Sequence, residues 1–150
     1  MESIDIVESQ DEGSQMNMDG LCELIIIGEN LDRDAIEINL NLKETPSKFG
    51  YDFSKPRGNP LRSSWRYQTD FREGGMNLDE SAQELLSKIE VNAEFLRQIS
   101  KNNEVYIKIL VQSDDNPIPF ELSADTIRRF SALGLSISFV VYCWDEVSEE

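Results

Sequence analysis

Apolar and polar positions along the chain alternate in ways that mark out a series of strands and helices. The clearest starting point is Leu21 to Leu40, an apolar run followed by a polar joint and then a segment with helical spacing. The unbroken Leu24, Ile25, Ile26 and Ile27 within Cys22 to Ile27 predict a strand buried on both faces, a central strand under helices. Gly28 is expected to end it. Asp32 is placed to cap the next helix through its carboxylate, with Asp34 in the first turn and Ile36 and Leu40 on the inner face at i and i+4. That helix must stop before Thr45-Pro46.

After an irregular Pro/Gly-rich stretch anchored by Phe49, Tyr51 and Phe53, a second strand places Trp65, Tyr67 and Thr69 on one face and Arg66 and Gln68 on the other. Gly74-Gly75 breaks it. Asn77 and Glu80 then have capping-box spacing, and Ala82, Leu85, Leu86, Ile89, Ala93 and Leu96 recur at steps of three and four, predicting one long amphipathic helix to about Ile99. Val105, Ile107, Ile109 and Val111 alternate with Tyr106, Lys108 and Leu110 in a third strand. A turn at Asp114-Asp115-Asn116-Pro117 leads to Ile118–Leu122, which reads as a short returning strand of a hairpin. Ser123 caps a last helix with Ile127, Phe130 and Leu133 inward and Gly134 at its end, and Ser136 to Tyr142 forms the final strand. The alternation predicts an α+β fold: one domain, an antiparallel or mixed sheet with packed helices, loosely ferredoxin-like.

Composition adjusts this picture at the two ends. Residues 1–20 carry six acids and no base, so an acidic, flexible tail is expected there, with Ile4, Ile6 and Val7 able to add an edge strand. The domain proper spans 21–144, and 145–150 is a short acidic end. At 150 residues the chain suits a single core. The formal charge of −15 opposes binding to nucleic acid or to an anionic membrane, and favours a basic protein partner reached by electrostatic steering. Only 43–72 is positive, with seven bases against three acids. Neither a charged-then-apolar leader nor a bilayer-length apolar run is evident, so the expected compartment is the cytoplasm with Cys22 and Cys143 reduced.

Candidate chemistry narrows further. With no histidine, Ser-His-Asp and Cys-His pairs and HExxH zinc sites are impossible, and two cysteines make neither a thiolate zinc site nor CxxC. Gly28-Glu29-Asn30 lacks the second glycine of a dinucleotide fingerprint, and Gly74-Gly75 lacks the Lys of a phosphate loop. Carboxylate pairs such as Asp32 with Asp34, Asp114 with Asp115 and Asp145 with Glu146 are explained by capping, turn formation and solvation. Trp65 and Tyr67 near Arg62 and Arg66 invite comparison with a stacking platform for single strands, but alternating aromatics on one face are more often core. No cofactor or metal is expected.

The order of these features resembles bacterial domain-of-unknown-function family 4279. The resemblance runs over 21–143 and rests on Gly28 with Leu31-Asp32, Pro46 and Gly50, Trp65, and the Leu133-Gly134 to Tyr142 ending. It implies a small cytosolic bacterial protein, and some members are thought to serve as immunity proteins beside toxins, as in contact-dependent inhibition. The expected function is therefore a non-enzymatic toxin inhibitor that binds one cognate basic toxin, a nuclease by charge, in a 1:1 complex. The acids expected to touch it are Asp114, Asp115, Asp145 and Glu146, with Glu29 beside them. Two other classes stand next to this one: a ligand-binding or edge-oligomerising domain, and a histidine-free enzyme working through paired carboxylates.

Overall fold

The computed structural model describes residues 18–46, 62–72, 74–114 and 118–143. In chain order these form β1 (Asp19–Glu29), α1 (Arg33–Leu40), β2 (Arg62–Arg72), α2 (Leu78–Ile89), a 3₁₀ turn (Glu90–Asn92), α3 (Ala93–Ile99), β3 (Glu104–Ser113), α4 (Ala124–Leu133) and β4 (Ser136–Cys143). The four strands make one mixed sheet in the order β2-β1-β3-β4. β1 is antiparallel to both its neighbours, whereas β3 and β4 run parallel and are joined through α4. The expected α+β class with helices packed on a mixed sheet is what the chain adopts.

Strand parity explains the layers. Cys22, Leu24 and Ile26 share a face with Trp65, Phe71, Val105, Ile107, Ile109 and Val111, and the helices cover that face with Ile36, Leu40, Leu85, Leu86, Ile89, Leu96, Phe130 and Leu133. Leu21, Ile25, Ile27 and Leu110 point to the other face and are buried too. A central strand closed on both faces and both edges needs an apolar run instead of alternation, and Leu24–Ile27 supplies one.

Local signals did their work where the partners are close in sequence. Asp32 accepts from the Ala35 amide at 3.0 Å, and Asn77 and Glu80 exchange side chain-to-backbone hydrogen bonds of 2.8 and 2.9 Å. Four expectations need correction. Gly28 does not end β1; it pairs with Ser63 inside the strand, and the chain leaves through Asn30 at φ 57. The long helix is interrupted at Glu90–Asn92, where Arg129 of α4 grips Glu90 at 2.6 Å. Residues 118–122 form no strand, because both edges of β3 are already occupied by β1 and β4; Ile118 and Leu122 pack on the core instead. Ile127 is exposed and Thr126 takes the inner position, where its hydroxyl lies 3.0 Å from the Ser123 hydroxyl. The edge strand considered at Ile4, Ile6 and Val7, and the aromatic loop around Phe49, Tyr51 and Phe53, fall outside the described residues.

Candidate functional site

Helix α1 is held to the sheet by few anchors. Only Ile36 and Leu40 of its eight residues are buried. At its start Arg33 pairs with Glu44 and donates to the Ser64 carbonyl of β2 at 2.6 Å. On its flank the Glu37 carboxylate accepts from the Glu44 amide at 3.0 Å and from the Trp65 indole at 3.3 Å. Those two hydrogen bonds, the backbone one foremost, hold the Glu37 carboxyl below its ordinary range, so it stays an anion. The helix closes at Asn41 in the left-handed conformation.

The outer face of α1 carries Ile38, 77% exposed. A shallow concavity of about 410 Å³ opens around it, lined by Asp34, Glu37, Ile38, Asn41, Leu42 and Lys43. Glu29, at the exposed end of β1, and Asp32, at the helix cap, enter the same corner of the molecule by way of the short Asn30-Leu31 joint. An exposed apolar side chain flanked by carboxylates can do two things for a partner: the apolar group supplies buried area and the acids select for positive charge.

Two cations stand in this corner, Lys43 in the lining and Arg33 paired with Glu44, against the five acids Glu29, Asp32, Asp34, Glu37 and Glu44, so the balance here is acidic. Among the described residues Arg62 pairs with Glu104, Arg97 with Glu94, Arg128 with Asp125 and Arg129 with Glu90. Arg66 and Lys108 converge on Glu23 in the middle of the sheet's second face, at 3.3 and 3.7 Å. Those three side chains are buried, with Glu23 at 4% and both cations at 6% exposure. Beside this cluster a second concavity, of about 430 Å³, is lined by Tyr106, Lys108, Ser136, Ser138 and Val140 along with Glu104 and Val105.

Of the five acids expected at a partner surface, the two that are described stand apart. Glu29 stands at one end of the sheet, while Asp114 follows β3 at the other, half-buried. A strand of eleven residues separates those ends by roughly 35 Å. Asp115, Asp145 and Glu146 lie outside the described residues. Two features went unread in the sequence although each left a trace. Ile38 is an apolar residue off the inner period of an acidic helix, and Glu23 is a charge inside a strand that must be buried on both faces. Trp65 is fully buried, so it is core and not a stacking platform.

Other chemistry is sparse among the described residues. No group of three or more Cys, Asp or Glu is placed to hold a metal ion. Cys22 and Cys143 are free thiols; burial, chiefly, pushes the Cys22 pKa up to about 12, which keeps it protonated and unreactive. Among the described residues no helix is long and apolar enough to cross a membrane. No match was found among curated proteins or among solved structures. The profile of a family described as a domain of unknown function (DUF4279) matches residues 15–144, nearly the whole chain, and the chain belongs to that family.

Proposed function

We propose that this protein is an immunity protein, a non-enzymatic cytoplasmic inhibitor that binds a cognate basic protein toxin one to one, as in contact-dependent inhibition. A nuclease suits the charge best, because its catalytic groove must be cationic to hold phosphates. The contact surface is the outer face of α1, with Ile38 as anchor and Glu29, Asp34 and Glu37 around it. The observation that carries the reading is the exposed Ile38 within an acidic ring whose charge the molecule's own cations leave in surplus.

Binding of this kind is steered. Association with the toxin domain encoded beside the gene should slow by about tenfold or more from low to physiological salt, with dissociation little changed. An Asp34→Lys, Ile38→Ala variant should lose binding while keeping its fold, since neither residue is buried. Reversing Asp114, Asp115, Asp145 and Glu146 together tests the loop-acid surface as the alternative. A salt-independent on-rate would sink the steering argument, and full binding by the α1 variant would remove α1 from the interface.

A second reading, small-ligand binding, is favoured by the concavity over Tyr106, Lys108, Ser136 and Ser138, whose 430 Å³ is within the range of small-molecule sites. Its ligand would be compact and polar, given the two serine hydroxyls of its lining. Ser138→Trp would fill that space without touching α1.

A further inference from the structure

Asp34, Glu37, Ile38 and Asn41 stand at i, i+3, i+4 and i+7, which on a helix is one stripe. α1 turns this stripe away from Ile36 and Leu40, its two buried side chains. The left-handed backbone at Asn41, φ 58, ends the helix, and Leu42 and Lys43 beyond it supply the rest of the lining. At about 410 Å³ the concavity is near the lower bound of small-molecule sites, roughly 300–1,000 Å³. That is room for one long side chain, not for a helix or a strand.

The two carboxylates are held differently. Both donors to Glu37, the Glu44 amide at 3.0 Å and the Trp65 indole at 3.3 Å, end on the same oxygen, Oε2. The carboxylate is thereby fixed in orientation, with its other oxygen, Oε1, left to accept. Asp34, exposed and one turn earlier, makes no ion pair or hydrogen bond among the described residues. Its neighbour Arg33 is turned to Glu44 and to the Ser64 carbonyl. The lining thus sets two carboxylates against one ammonium, that of Lys43. Beside them stand the exposed Ile38 and Leu42, which is half-buried against the core.

We infer that this concavity takes one arginine side chain of the basic partner, its guanidinium lying across Asp34 and Glu37 and its methylenes on Ile38 and Leu42. The inference rests on α1 being the partner surface. Each part of the lining matches a part of the arginine. A guanidinium presents its N–H groups as a rigid planar fork, and two carboxylates one helical turn apart, with Cβ atoms about 5–6 Å from each other, offer oxygens to both prongs. Glu37 is oriented before the partner arrives, so less freedom is lost when the contact forms.

The apolar side discriminates further. A guanidinium is more weakly hydrated than an ammonium and lies more readily against a surface such as Ile38, whereas lysine brings a compact, strongly hydrated charge without a fork. An anionic occupant would meet two like charges. A neutral apolar one would cover Ile38 but take Asp34 and Glu37 out of water with no counter-charge.

The test needs no partner. N-acetyl-arginine amide is titrated into the full isotope-labelled chain, with N-acetyl-lysine amide at the same concentrations as the cation control. The Trp65 indole N–H and the Glu44 amide, both held by Glu37, are the reporters. Their resonances should shift together with the amides of 34–42 and saturate with an affinity on the order of millimolar, as suits a ligand of this size. The lysine compound should bind about threefold or more weakly. Asp34→Asn, at an exposed position, should weaken arginine binding by about threefold or more with an otherwise wild-type spectrum, and Glu37→Gln should abolish saturation. Reporters that stay still, or shifts spread evenly over acids all round the molecule, would overturn the site; equal binding of both compounds would overturn its choice of arginine. The outcomes separate from those of the proposed function. A chain that takes the arginine compound while its toxin ignores the α1 variant keeps the site and loses the partner. One whose toxin binding depends on α1 while the reporters stay still keeps the partner surface and loses the arginine.

Discussion

Adding one methyl group at Gly20 should damage this fold far more than adding it at other glycines, because of what stands beside each. A Cβ on Gly20 would lie 1.8 Å from the Leu110 carbonyl oxygen and 2.9 Å from both the Leu110 carbonyl carbon and the Phe71 ring. The first two atoms are β3 backbone, locked in the ladder that sets Gly20 opposite Val111 and Leu21 opposite Leu110. Relief requires the strands to part, at a cost of roughly 3 kcal/mol or more. For a chain of this size that lowers the melting temperature by about 6–12 °C. At Gly28 the obstacle is the Asn103 amide, 1.9 Å away. That side chain can swing aside if it gives up its 3.0 Å hydrogen bond to the Ile99 carbonyl, a loss of about 1–2 kcal/mol. At Gly75 the nearest atom is 3.5 Å off, so alanine should shift stability by less than about 0.5 kcal/mol. Urea unfolding of the three alanine variants would measure the series, with the midpoint moving and the slope unchanged. The Gly28→Ala, Asn103→Ala double variant should recover part of the single loss. If Gly20→Ala unfolds within a degree of Gly75→Ala, the close approach of β1 and β3 does not constrain the chain and the reasoning is wrong.

Three further outcomes can be checked on the same apparatus. Glu23→Gln removes the buried carboxylate on which Arg66 and Lys108 converge and should lower the urea midpoint clearly more than Glu94→Gln, which touches only an exposed pair with Arg97. Asp79 is pulled up by partial burial, but hydrogen bonds from the Ser123 amide at 2.8 Å and from Thr126 and Gln83 outweigh this and hold its carboxyl below the ordinary range. Its stabilising effect is present above the unfolded pKa of about 3.9 and disappears as pH falls through the lower folded value. Asp79→Ala should therefore destabilise by about 1 kcal/mol at pH 7, and melting curves of variant and wild type should converge in acid. Cys22 should resist a thiol-specific disulfide reagent at neutral pH until the protein is unfolded; prompt labelling in the native state would contradict its burial.

What the chain reveals by inspection is what its near neighbours decide. Asp32 with Ala35, Asn77 with Glu80 and Ser123 with Thr126 each close a hydrogen bond three residues apart, so the caps are written in the local sequence. The errors arose where a distant residue intervenes. Arg129 reaches across to Glu90 where the helix breaks, and Gly28 stays in the strand because Ser63 continues the ladder beside it. β4, by taking the free edge of β3, denied residues 118–122 a pairing site. The candidate site was half legible for the same reason. Glu29 could be picked out as an exposed acid, but that Ile38 faces solvent depends on which side of an eight-residue helix meets the sheet, and Ile36, Ile38 and Leu40 read alone suit a strand as well as a helix.

The position of β1 has a consequence for how the protein is made. Its apolar segment leaves the ribosome well before β3, the strand that completes its second edge, with Asp19 waiting for Gln112. Synthesis at about 5–20 residues per second puts roughly 5–20 s between the two events. Throughout that interval Leu24–Ile27 is a nascent strand with an unfilled side, the kind of segment that recruits chaperones or pairs with its neighbour on a polysome. The strand most completely enclosed in the finished molecule is thus the one most exposed to mishap while the chain is still being built.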